Sequence, residues 1–215
     1  MDSVPELNRR LVSRLAELPE IWGVGRSPDA IRLVYDDEGE FAGSNFTRSL
    51  KADLTGHASY ISRFPGWVEP DESSADDFCV FEYSASEYAD MTNYVLPSVV
   101  KTFDAYRASA HTSLEVRSAD WQKICELHTH GSPDLDGRDS VYRIWPANFF
   151  DDTLCRRAFG LSAEEVVVRA APECDDAYVL NGGAFLLVSK EPVSDRDALN
   201  ALHERVAARL AASSA

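Results

Sequence analysis

The stretch Tyr178-Val179-Leu180-Asn181-Gly182-Gly183-Ala184-Phe185-Leu186-Leu187-Val188-Ser189 holds the clearest hairpin signal in the chain. Two apolar runs flank Asn181-Gly182-Gly183. Asn-Gly suits the tight turn whose two central residues both need positive φ. Antiparallel sheet is therefore expected around residues 178–189. A helix should follow over 195–210, because Leu199, Leu202, Val206 and Leu210 recur at helical spacing. On the other side of the hairpin, Ser162-Ala163-Glu164-Glu165 opens a helix with acids in its first turn, where the helix dipole favours them. Asp151 is suited to cap a helix running through Phe159, and Gly160 to end it. Val141-Tyr142-Arg143-Ile144-Trp145 alternates in polarity and predicts a strand.

Further back the signals thin. Residues 113–117 form a strand candidate, 119–130 can hold a short helix, and 131–137 are loop by composition. The first half starts with a helix over 5–18, where Leu7, Leu11, Leu15 and Leu18 make one stripe after the capping residue Ser3. A short strand over 31–35, a turn at Asp36-Asp37-Glu38-Gly39-Glu40 and a returning strand over 41–46 read as a hairpin, the second strand weakened by Gly43. Residues 47–70 are ambiguous. Phe78-Cys79-Val80-Phe81-Glu82-Tyr83 predicts a strand buried on both faces or nearly so. A long helix over 87–108, with Ser86 as its cap, contains Pro97 and should kink there or divide.

Hairpins and helices in this order predict an α+β fold, with a mixed or mostly antiparallel sheet and helices packed on it. The expected organisation is a single compact domain over 1–215, with 1–110 and 111–215 as candidate pseudo-duplicated halves.

Composition narrows the function classes. The chain of 215 residues carries 36 Asp and Glu against 21 Lys and Arg, a formal net charge of −15. Nucleic acid and anionic membranes are poor partners for that charge, and basic proteins are favoured ones. The N-terminal stretch has no apolar core of signal-peptide length, so a cytoplasmic protein is expected. Cys79, Cys125, Cys155 and Cys174 are irregularly spaced and read as reduced, mostly buried thiols.

Candidate chemistry is sparse. Cys125, His128 and His130 offer zinc-type ligands, but histidines two apart diverge on a helix, and on a strand Cys125 would face away from them. Cys125 in the core, beside loop histidines, is the competing reading. Gly23-Val24-Gly25-Arg26 lacks the third glycine and the lysine of phosphate loops. The carboxylate pairs Asp36/Asp37, Asp71/Glu72, Asp76/Asp77, Asp151/Asp152 and Asp175/Asp176 suit caps and solvated turns as well as acid–base chemistry. No cofactor and no metal is expected. The acidic loop over 69–77 is different: Glu69, Asp71, Glu72, Asp76 and Asp77 stand there with no base among them. Such a loop can steer a basic protein, and Trp67, Phe64 and Tyr83 can anchor it.

Over residues 141–206 the chain resembles immunity proteins of bacterial polymorphic-toxin and type VI secretion systems. The resemblance is carried by Trp145, Asn148, Phe149, Phe150, Phe159, Gly160, Gly182, Gly183, Pro192 and Asp195. In that pattern a strand ends at the Trp, a helix reaches Phe-Gly, and a Gly-Gly hairpin precedes a last helix. The resemblance implies a non-catalytic cytoplasmic protein that binds and neutralises a cognate toxin, often a nuclease. A homodimer is compatible with it. The alternatives are a small metal-dependent or Cys/His hydrolase and a non-catalytic structural or phage-related subunit.

Overall fold

The Asn181-Gly182 turn closes as expected, with φ of 48° and 78° at its two residues. A computed structural model gives the fold, and it describes residues 3–18, 31–39, 41–47, 50, 54–61, 76–129 and 135–211. These form two compact units, 1–84 with 101–103, and 85–100 with 104–215. Each unit holds a four-stranded sheet in which every ladder is antiparallel, so the fold is α+β.

The first unit is a meander of β1 (Leu33–Tyr35), β2 (Phe41–Asn45), β3 (Thr55–Ile61) and β4 (Phe78–Glu82). Helix α1 (Val4–Ala16) follows Ser3, whose backbone N–H donates to Glu6 Oε2 at 3.0 Å. Leu11, Val12 and Leu15 on α1 are fully buried, as are Phe46 and Tyr60. Each such side chain contributes roughly 1.5–3 kcal/mol by leaving water. The Tyr60 hydroxyl donates to Asn8 Oδ1 at 3.0 Å, which satisfies two polar groups in this core. β3 lies within the stretch that the sequence left ambiguous. Its Gly56 and His57 dilute the apolar alternation that marks a strand.

In the second unit β5 (Arg107–Ala110) pairs with β6 (Ala147–Phe150), which pairs with β8 (Gly183–Leu187), and β7 (Asp176–Leu180) forms the other edge. Helices α5 (Asp152–Phe159), α6 (Ala163–Ala170) and α7 (Arg196–Ala211) pack their apolar sides into one core with Phe150, Leu186 and Val188. The caps are as expected. Asp151 Oδ1 accepts from the Leu154 N–H at 2.6 Å, Gly160 ends α5 at φ 69°, and Ser162 and Glu165 form a capping box on α6. Gly183 is required by packing, since a Cβ there would stand 2.5 Å from the Phe150 carbonyl oxygen.

Four expectations need correction. Residues 141–145 are not a strand. Their donors are taken by side chains instead: Tyr142 N–H by Asp136, Ile144 N–H by His203 Nδ1, and Trp145 N–H by Asn148. The strand lies after Trp145. Residues 113–117 belong to helix α4 (Leu114–Thr129), with the Ser113 hydroxyl accepting from Val116 N–H at 3.4 Å. The helix expected over 87–108 ends at Phe103, because Asp104 turns left-handed at φ 50° and Arg107–Ala110 pair with β6. Within it, a π-turn over Met91–Val95 joins α2 (Tyr88–Asp90) to α3 (Leu96–Phe103), and Pro97 stands in the first turn of α3. A proline there needs no N–H partner. Finally, β4 is an edge strand with one open face. Phe78 is 48% exposed and Val80 38%. No helix among the described residues is long and apolar enough to cross a membrane.

Candidate functional site

The first sheet has one covered and one open face. In an antiparallel ladder, residues directly opposite one another share a face. Ala42, Ala58 and Tyr60 point to the covered side and are buried. The open side is built in rows. Val34, Gly43, Ser59 and Phe78 form one row across all four strands. Asn45, His57 and Val80 form the next, exposed Phe41 and buried Ile61 stand at one end, and Thr55 and Glu82 at the other.

The row through Gly43 sets the relief. Val34 (66% exposed) and Phe78 (48%) rise at its ends, while the middle positions are a glycine and a serine. A Cβ on Gly43 would meet nothing closer than the Ala58 carbonyl oxygen at 3.6 Å. The result is a shallow trough, lowest at Gly43 and Ser59, with Val34 on β1 and Phe78 on β4 rising at its sides and Phe41, Asn45 and His57 standing along it on β2 and β3. Phe41, 49% exposed, adds apolar surface at one end. His57 meets the Phe78 ring edge-on at 6.1 Å between centroids.

Acids surround this trough. The Phe41–Ile61 pairing brings the β1–β2 turn and the end of β3 to the same end of the sheet. Asp36 Oδ1 accepts from the Phe41 N–H at 3.2 Å and so shapes the turn, leaving Asp37 and Glu38 exposed. Asp77 Oδ1 accepts from the Ile61 N–H at 2.8 Å, which ties the start of β4 to the end of β3. Glu82 accepts from Thr55 Oγ1 at 2.8 Å at the far end. Among the described residues of 31–84 the acids are Asp36, Asp37, Glu38, Asp76, Asp77 and Glu82, and the one base is Arg32.

Of the acidic-loop residues singled out from sequence, Asp76 and Asp77 stand at this end of the sheet. Glu69, Asp71, Glu72, Trp67 and Phe64 lie outside the described residues, as do Gly23 to Arg26. The exposed Val34, Phe41, Phe78 and Val80 escaped the sequence reading. The signal that could have found them is the polar alternate set Asn45, Thr55, His57 and Ser59 on the strands between.

The other candidates dissolve into structure. Cys125 is exposed on α4, contrary to the core position that was its competing reading, because Val116, Asp120 and Ile124 form the covered side of that helix. The side chain of His128, and His130 altogether, lie outside the described residues. Among the described residues no three His, Cys, Asp or Glu are grouped to hold a metal ion. Burial pushes the Cys155 and Cys174 thiols up to about 12 and raises that of Cys79, the opposite of thiolate activation. Asp151 and Asp152 are helix-end groups: Asp152 accepts from the Ala163 N–H at 2.8 Å and from Arg156 Nε at 2.7 Å.

The second unit also contains a buried polar cluster. Arg143 donates from Nε and Nη2 to both carboxylate oxygens of Asp120, and from Nη1 to Asn200 Oδ1 at 3.0 Å. Its guanidinium lies 5.5 Å from the Trp145 ring centroid, and His111 stacks on the same ring at 4.3 Å. Each guanidinium nitrogen of Arg143 makes one of these bonds, so the cluster braces α4 against α7.

No family model, curated protein or solved structure matches this chain.

Proposed function

We propose that this protein is an immunity-type inhibitor, which binds a basic toxin protein and neutralises it by occupying the toxin's working surface. One observation carries the reading. The first sheet leaves Val34, Phe41, Phe78 and Val80 open to solvent, and among the described residues of 31–84 six carboxylates accompany a single guanidinium. Carboxylates at the turn and at the start of β4 steer a basic partner during approach. Apolar side chains that lose water on contact then hold it, as the anchors of protein interfaces do. The resemblance over residues 141–206 supports the same reading, although its strand falls after Trp145 rather than before it.

The decisive experiment is co-expression with a toxin domain encoded beside this chain. Neutralisation, with a stable complex on purification, is the expected result. An adjacent toxin that stays lethal and unbound would sink the reading. Within that complex, Asp37→Lys, Glu38→Lys and Asp76→Lys together should slow association at low salt at least tenfold and flatten its salt dependence. Stopped-flow mixing across a salt series measures both. An unchanged rate at low salt would remove this end of the sheet as the steering surface.

A further inference from the structure

Resting on the binding reading above, we infer that the trough on the open face of the first sheet receives an amphipathic α-helix of the basic partner. That helix is apolar along the side that meets the sheet and carries Lys or Arg along its flanks.

The floor of the trough decides the secondary structure of its occupant. β2 and β3 are interior strands, each paired on both sides. Their backbone N–H and C=O groups are already used in the ladders. An extended segment laid on this face would find no backbone partners and would bury its own polar groups unsatisfied. A helix satisfies its backbone internally and can present side chains alone. Extended segments belong at the edges, where strand addition supplies the missing hydrogen bonds.

Dimensions agree. From β1 to β4 there are three strand spacings, about 14 Å in all. That width accepts one helix of about 10–12 Å diameter between the Val34 and Phe78 walls. From Thr55 to Ser59 the open face runs about 13 Å, or between two and three helical turns, and Ile61 beyond it is buried. Gly43 and Ser59 in the middle let the helix axis come near the sheet, while Phe41 at one end of β2 and Val80 on β4 offer apolar contacts. A sheet in a layered fold ordinarily buries its apolar faces against another element.

Charge fixes the partner's flanks. Asp37, Glu38 and Asp76 stand at one end and Glu82 at the other, and among the described residues of 31–84 the one strong base is Arg32, just before β1. An acidic helix would be repelled at both ends, and a neutral one would lose the steering.

The test uses the full-length chain and two synthetic peptides of about 18 residues made only of Leu and Lys. The first is an amphipathic helix. The second has the same composition and order, with scattered D-residues that prevent the helix. Titration by fluorescence anisotropy, with amide shifts followed in β2 and β3, should show the helical peptide binding at least tenfold tighter than its isomer. Gly43→Leu fills the floor, where a Cβ makes only an ordinary contact with the Ala58 carbonyl oxygen at 3.6 Å. It should leave the thermal transition in place and weaken the helical peptide at least tenfold. Phe78→Ser, which lowers a wall at an exposed position, is the second variant and should weaken it in the same direction. Equal binding of the two peptides, indifference to both substitutions, or no binding of either peptide would overturn the helix assignment. Binding of the isomer with shifts confined to β1 or β4 would replace it by edge-strand addition. None of these results bears on toxin neutralisation, which fails separately if the co-expressed toxin is not inhibited.

Discussion

Asp120→Ala is expected to lower the stability of the second unit by about 3–5 kcal/mol, the usual cost of removing one member of a buried ion pair. The side chains of Asp120 and Arg143 are only 6% and 12% exposed. Without the carboxylate, the guanidinium keeps Asn200 as a hydrogen-bond partner and loses its only counter-charge in that contact. Water cannot replace Asp120 without opening the packing of α4 on the segment that carries Ile144 and Trp145, both almost fully buried. The loss therefore comes from a stranded charge more than from a missing attraction. Asp120→Asn keeps an acceptor and should cost less than Asp120→Ala. The double replacement Asp120→Leu with Arg143→Met should recover much of the loss, because it leaves no charge behind. Urea unfolding of the full chain gives the magnitude, and amide exchange in α4 and α7 localises it. A loss under about 1 kcal/mol would show the pair to be hydrated and weakly coupled.

That pair also explains why residues 141–145 do not form a strand. Residues 141–145 alternate as a strand does, but Arg143 is held by Asp120, and His203 takes the Ile144 N–H at 3.1 Å. Those partners are 23 and 59 residues away, beyond the reach of any local pattern. Where structure is decided locally, the reading succeeded. The Asn181-Gly182 turn, the Asp151 cap, the Gly160 stop and the inward stripe of α7 depend on a few neighbouring residues, and all four are found. The trough belongs to the other kind. Gly43 first read as a weakness in a strand. Only the register, which sets it between Val34 and Ser59, shows it as the low point of a surface. Likewise Phe78-Cys79-Val80-Phe81 is apolar at four consecutive positions, so composition could not say which pair of side chains would be covered. Asp76 and Asp77 were visible as acids, while their place beside the β1–β2 turn came from the pairing of Phe41 with Ile61.

Mild acid should unfold the second unit through two histidines before most carboxylates titrate. Burial, reinforced by Arg117 and opposed by Asp120, holds the His111 imidazole down to about 4. Burial with the nearby Arg143 also lowers His203, against the pull of Glu204 and Asp120. The geometry of His203 agrees, since its Nδ1 accepts the Ile144 N–H at 3.1 Å and has no room there for a proton of its own. An unfolded histidine takes up a proton near pH 6.5, whereas folded His111 resists until about pH 4. Between those values the unfolded chain binds more protons, so stability falls as pH falls, and the decline from this residue levels off below about 4. For His111 the gap of 2.5 units corresponds to roughly 3 kcal/mol, and His203 adds to it in the same direction. Asp151, whose carboxyl is raised by burial, works weakly the other way at the bottom of the window. His111→Phe keeps an aromatic ring against Trp145 and removes the titration. Its stability relative to the natural chain should therefore rise by about 3 kcal/mol between pH 7 and pH 4, as measured by urea unfolding at a series of pH values. A difference between the two proteins that stays constant with pH would mean that His111 titrates normally in the folded state. Asp120→Ala should steepen the same pH dependence, because it removes the carboxylate that favours the charged imidazole and leaves Arg117 unopposed.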